Sequence, residues 1–322
     1  MQFHVLGPLE AHTAPGVPVR LHARKPATLL AMLLLNANAL VSIDHLIDAI
    51  WHEQAVPTSA LRNLRSYVWR LRGELGDRLE SRPGGYLIRV LPGELDTDRV
   101  ESLAASARLA MSHGAYAEAA GQLADALALW RGRPFDGLTF DAARSESARL
   151  DELRRELREL QAEAWLALDR HSDATAMLRD LVDEDPLREG TWARLVNALH
   201  RAGRPADALA AYDQARQAIV GELGIEPGPD LVAAQWEVLL GGETRQPAQR
   251  RSAVPIASRR SRVTAPDAHP EIDLAAFLGP YRHLLTGAER TVLEAIFDRI
   301  RVRLREDRLA AARRSPAHSR VA

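Results

Sequence analysis

The 322-residue chain contains no cysteine, and that absence removes several chemistries at once. No disulfide, thiolate nucleophile or cysteine-ligated zinc can form. Lysine is nearly missing too: Lys25 stands alone, so almost all of the positive charge is arginine. A phosphate loop of the Gly-x-x-x-x-Gly-Lys type needs a lysine after a glycine, whereas Lys25 follows Arg24. His52-Glu53 opens a His-Glu-x-x-His zinc pattern, but Val56 occupies the place of the second histidine. The 11 histidines are otherwise scattered without ligand spacing. Long apolar runs are also absent: residues 27–35 are too few to span a bilayer. They also lie too far in, with no small-residue cleavage pattern, for a signal peptide. Aromatics make up only 5 %. No metal, cofactor or catalytic constellation is in view, and the expectation is a cytoplasmic protein that is not an enzyme and does not meet the membrane.

What is present is charge in an uneven arrangement. The net charge of −1 divides into +2 over residues 1–95, −10 over 96–242 and +7 over 243–322. With 46 % apolar residues and a length suited to two or three domains, the segregation points to separate modules with separate partners.

Along the chain, Phe3–His12 alternates at its start and turns at Gly7-Pro8, and residues 18–21 alternate again, which predicts short strands. Lys25-Pro26 opens an apolar helix, and Ser42 is placed to cap a second helix over 43–50. Residues 62–89 then hold seven arginines against Glu74, Asp77 and Glu80. Leu61, Leu64, Val68, Leu71 and Leu75 are spaced as one helical face. The opposite face collects Arg62, Asn63, Ser66, Arg70 and, at its edge, Trp69, while Arg65 and Arg72 flank the stripe. Residues 79–82 and 86–90 read as strands about Pro83-Gly84-Gly85, the glycines being expected to supply φ > 0.

Strands, three helices and a terminal hairpin make a winged helix-turn-helix, whose last helix fits the DNA major groove. Arginine suits guanine edges and phosphates, and a wing arginine such as Arg82 suits the minor groove. A solvated arginine face fits the same spacing, so from the pattern alone both readings stand.

After residues 94–96 the chain reads as helical for about 145 residues. Ala174, Leu178 and Leu181 superpose on Ala208, Tyr212 and Ala215 at an offset of 34. Gly114, Ala119, Leu123 and Ala126 match Gly203, Ala208, Tyr212 and Ala215, though this first unit is offset by 55 residues from the next, with the insert RGRPFDGLTFDA between. A period of 34 with small residues at helix contacts is the tetratricopeptide pattern, which serves protein binding. Residues 243–270 read as a linker. In 271–322, Thr286 and Glu289 form a capping-box pattern before the apolar stripe Val292, Leu293, Ile296, Phe297 and Ile300, so a basic helical tail of unassigned role is expected.

The segments VLGPLEA, KPATLLAMLLLNAN, VSIDHLIDAIW, LRSYVWRLRGELG, SRPGGYLIRV, ALALWRGRPF, ALHRAGRPADALAAYDQARQAI and ELGIEPGPDL together resemble the Streptomyces antibiotic regulatory protein family. Such proteins pair an OmpR/PhoB-type winged helix (here 1–95) with a bacterial transcriptional activation domain (here 96–242). The resemblance covers about residues 1–240; neither a phospho-receiver nor an ATPase segment has a counterpart in it. It implies a mainly α fold and a nucleoid-associated activator. That activator would bind direct repeats near promoter −35 regions of antibiotic biosynthesis, commonly as a homodimer, and recruit RNA polymerase holoenzyme. Carried over residue by residue, it turns Arg62, Ser66 and Arg70 toward bases, with Asn63 on the same helix. Arg65 and Arg72 go to phosphates, Arg82 with Gly84 and Gly85 forms the wing, and Arg24 and Lys25 go to the DNA backbone. The alternative is a protein-interaction scaffold whose winged helix has degenerated.

Overall fold

The structure, a computed structural model, describes residues 1–241 apart from 15, 16, 20 and 22. The linker and helix expected beyond residue 242 lie outside the described residues. Strands β1 (Gln2–His4), β2 (Glu10–Ala14) and β3 (Val17–Pro18) form an antiparallel sheet in chain order, with the first turn spanning Gly7-Pro8. Of the strand expected over 18–21, Pro18 lies in β3, which starts one residue earlier at Val17, and the β2–β3 register shifts between His12 and Ala14.

Helix α1 (Arg24–Leu35) starts with Pro26 in its first turn, where a missing N–H is harmless, and is buried on several sides. Strand β4 (Val41–Ser42) leads into α2 (Ile43–Trp51), and the Ser42 hydroxyl accepts from the His45 amide at 3.3 Å, the predicted cap. Helix α3 (Ala60–Leu75) buries Ala60, Leu64, Val68, Leu71 and Leu75. Leu61, assigned to that stripe from spacing, is 39 % exposed, since Ala60 stands four residues before Leu64 and takes the inward position. A 3₁₀ turn at Gly76–Arg78 connects to β5 (Leu79–Arg82) and β6 (Gly85–Ile88), and the second sheet has the order β4-β6-β5.

The remainder is helical: α4 (Asp96–Ser112), α5 (Tyr116–Leu127), α6 (Asp141–Ala167), α7 (His171–Glu184), α8 (Glu189–Arg201), α9 (Pro205–Leu223) and α10 (Pro229–Gly241). The repeat pattern is realised in backbone as well as side chains. Gly114, Asp169 and Gly203 adopt φ of +74°, +57° and +74° at the turns into α5, α7 and α9. Ala119, Ala174 and Ala208 are fully buried one turn later, where paired helices approach. A longer α6 and the insert account for the irregular first offset.

Two apolar clusters hold the described unit. The first runs from Phe3 to Leu157 and joins winged helix, α4, α5, the insert and half of α6; the second runs from Ala162 to Val238. The core therefore does not break at residue 95. Helix α6, 27 residues and about 40 Å long, contributes Leu150 and Leu157 to the first cluster and Ala162 and Leu166 to the second.

The insert explains the continuity. Its amides at Arg131, Phe135 and Asp136 donate to the carbonyls of Leu6, Val5 and Gly7, so it lies along the β1–β2 turn. Phe135 and Phe140 are buried in the shared core.

Candidate nucleic-acid interface

Residues 62, 66, 69 and 73 of α3 each precede a buried residue (64, 68, 71, 75) by two positions. Two residues are about 200° of helix, so this column lies opposite the core. Arg62, Arg65, Ser66, Trp69, Arg70, Arg72 and Gly73 are all exposed. Among the described residues no hydrogen bond or ion pair engages the side chains of Arg62, Arg65 or Arg70. Three uncompensated guanidiniums on one exposed face create positive potential available to an anionic partner.

The wing is braced against this helix. Arg72 donates from Nε to the Leu79 carbonyl at 3.0 Å and from its guanidinium to Ser81 Oγ at 2.9 Å. Both bonds fix β5 against α3. Asn63 likewise donates to Ser59 Oγ at 3.2 Å, ordering the first turn instead of standing free. The β5–β6 turn is Pro83-Gly84, with Arg82 paired to Gly85. Only Gly84, at φ +80°, has the left-handed backbone expected of both glycines. Gly85 is required for a different reason: a Cβ there would lie 2.1 Å from the Val41 carbonyl oxygen, where β4 crosses close to the wing. The Gly84 carbonyl also accepts from the Ile43 amide at the start of α2.

Arg82 is half-exposed at the wing and contacts Glu80, which Arg89 also contacts. The Arg89 hydrogen bond, then Arg82, hold the Glu80 carboxyl below its usual range, outweighing its desolvation. Arg24 and Lys25, at the start of α1, have partners within the protein. Arg24 hydrogen-bonds Thr139 of the insert and pairs with Glu53 at 3.4 Å. Lys25 lies 4.8 Å from the Trp51 ring centroid, over its face. Trp51 in turn stacks with Tyr67 of α3 at 6.4 Å. These two cations are directed to the protein, tying α1 to α2 and the insert.

His52 and Glu53, read from sequence only as a failed zinc motif, complete that contact. Thr139 donates to Glu53 at 2.6 Å, and His52 Nε2 lies 3.0 Å from the same hydroxyl. Nothing in local spacing joins residues 86 apart, which is why the cluster was not legible. No group of three or more metal-ligating side chains occurs among the described residues.

Two family profiles match the chain: "Transcriptional regulatory protein, C terminal" over residues 17–93 and "Bacterial transcriptional activator domain" over 95–239. The chain is 36 % identical over 255 residues to the regulatory protein DnrI of Streptomyces peucetius, covering 74 % of this chain and 92 % of that protein. It belongs to the Streptomyces antibiotic regulatory protein family. It is therefore a transcriptional regulator of the DNA-binding, activator class. The regulatory protein AfsR of Streptomyces coelicolor is 37 % identical over 241 residues, which are 74 % of this chain but only 24 % of AfsR. A solved structure of Mycobacterium tuberculosis EmbR in complex with a low-affinity phosphopeptide superposes with a TM-score of 0.71 at 33 % identity, over 74 % of this chain and 65 % of EmbR. This family member thus spans most of DnrI but less than two thirds of the AfsR and EmbR chains. The profile boundary at 93/95 falls at the start of α4, although the packed core runs through it. No helix among the described residues is long and apolar enough to cross a membrane.

Proposed function

We propose that this regulator is a sequence-specific activator that reads direct repeats near the −35 region of secondary-metabolite promoters. In this reading α3 enters the major groove, where Arg62, Ser66 and Arg70 meet base edges and Arg65 meets phosphate. Arg82 leaves Glu80 for the neighbouring minor groove, whose potential favours an inserted guanidinium. The acidic helical region supports side-by-side dimers and presents a surface to basic parts of the RNA polymerase holoenzyme. The protein acts in the cytoplasm, on the nucleoid.

The observation that carries the reading is the exposed α3 face, on which Arg62, Arg65 and Arg70 have no partner among the described residues. A scaffold with a degenerate winged helix has no use for such a face. The test is chromatin immunoprecipitation of the tagged protein beside an Arg70→Ala/Arg82→Ala variant. Peaks over direct repeats upstream of biosynthetic genes, lost in the variant, are expected; peaks indifferent to the variant, or none, support the scaffold. In vitro, log K should fall steeply with log[salt], as about five to eight neutralised phosphates require.

A further inference from the structure

Trp69 is 76 % exposed, more than any other large apolar residue among those described. An exposed indole keeps its apolar area in water, and contact with an apolar group of a partner would remove that area. Its position narrows the choice. Trp69 belongs to the column 62, 66, 69 and 73 that lies opposite the core, so it is central to the exposed face and not at its edge. Arg65 and Arg70 stand to either side. Gly73, one turn on, has open space around its Cβ position, so the column is unobstructed beside the indole. Helical side chains lean toward the N-terminus, which carries the indole over the turn of Arg65 and Ser66.

We propose that Trp69 is a specificity-determining residue that reads thymine through its 5-methyl group. The proposal rests on the DNA reading given above. A helix seated in the major groove turns its central column to base edges and its flanks to the sugar-phosphate walls. Along those edges acceptors and amino donors match Arg62 and Ser66, and the thymine methyl is the one apolar group displayed. An uncharged indole gains little from phosphate, and its central place keeps it from the walls. The recognition sequence accordingly carries a thymine beside the base pairs read by Arg62 and Ser66.

The test uses the full chain and duplexes enriched by it from a random-sequence library. Each thymine of an enriched duplex is replaced in turn by deoxyuridine, which removes the methyl and nothing else. Wild-type protein should weaken about three- to fivefold at one or two positions, the loss of one buried methyl each. Trp69→Ala should bind thymine and uracil duplexes equally at those positions while keeping its circular dichroism. Indifference of the wild type to every methyl overturns the proposal, and the wild-type arm needs no variant to fold. Equal methyl dependence in Trp69→Ala also overturns it and assigns the contact to another side chain. If no duplex is enriched, the DNA reading itself fails and takes this inference with it; binding without methyl dependence sinks only this one.

Discussion

Asp96 opens α4 with its carboxylate turned back onto the first strand, accepting from the Val5 amide at 2.9 Å and the Leu6 amide at 3.0 Å. It is 1 % exposed, and burial pushes its carboxyl up despite those two donors. Asp96→Ala strands both amides inside the core and should cost about 1–3 kcal/mol by urea denaturation. Glu94 works in the opposite sense. Burial would raise it, but the Leu91 amide, the Met1 amino group and Arg78 outweigh burial and hold it below its ordinary range. Its folded value is lower than its unfolded one, so it adds stability above about pH 4.3, lost as pH falls through the lowered value. Glu94→Gln should therefore lower the urea midpoint at pH 7 and approach wild type in acid; a gap constant with pH would place the effect in shape, not charge. On the DNA side, Arg70→Ala should cost about 1–3 kcal/mol of binding and relax sequence preference, measured by titrating matched and mismatched duplexes. The Asp96 partnership was not legible beforehand, because an acid at a helix start is common and the amides it meets are about 90 residues away.

Among elements, α3 was the most legible, since four of its five expected inward residues are buried and only Leu61 lies out. Period alone fixes such a stripe once a helix is long enough. The wing was legible in outline but not in cause. Pro-Gly-Gly announced a turn, while the demand on Gly85 comes from Val41 of β4, 44 residues earlier, which no local signal reports. The two glycines should therefore respond differently in thermal unfolding. Gly84→Ala meets no neighbour and should cost about 1–2 kcal/mol of backbone strain. Gly85→Ala must push β4 from the wing and should cost more while also weakening DNA binding, because Arg82 moves with the hairpin. Equal costs would show that β4 yields easily.

For the whole described unit, the sequence foretold two modules, and the segregated charge and family profiles divide near residue 95. The packing does not divide there. Val100, Ala104, Leu123, Phe135 and Leu157 share one apolar cluster with Phe3, Leu30 and Leu64. The sealing role of the insert has no local signal, since its partners are the main-chain carbonyls of Val5, Leu6 and Gly7. A fragment of residues 1–95 should accordingly melt well below one of residues 1–241, with the difference read by circular dichroism; equal melting temperatures would show that the shared cluster adds little.

That continuity bears on how a new promoter could be assigned to such a regulator. Exchanging the first 95 residues for those of a relative cuts through a common interior, so mismatched surfaces must be repacked on both sides of the cut. The column at positions 62, 66, 69 and 73 faces away from that interior. Rewriting those few side chains leaves the interior untouched, which makes point substitution the less disruptive route to a different target, for an engineer or for a lineage.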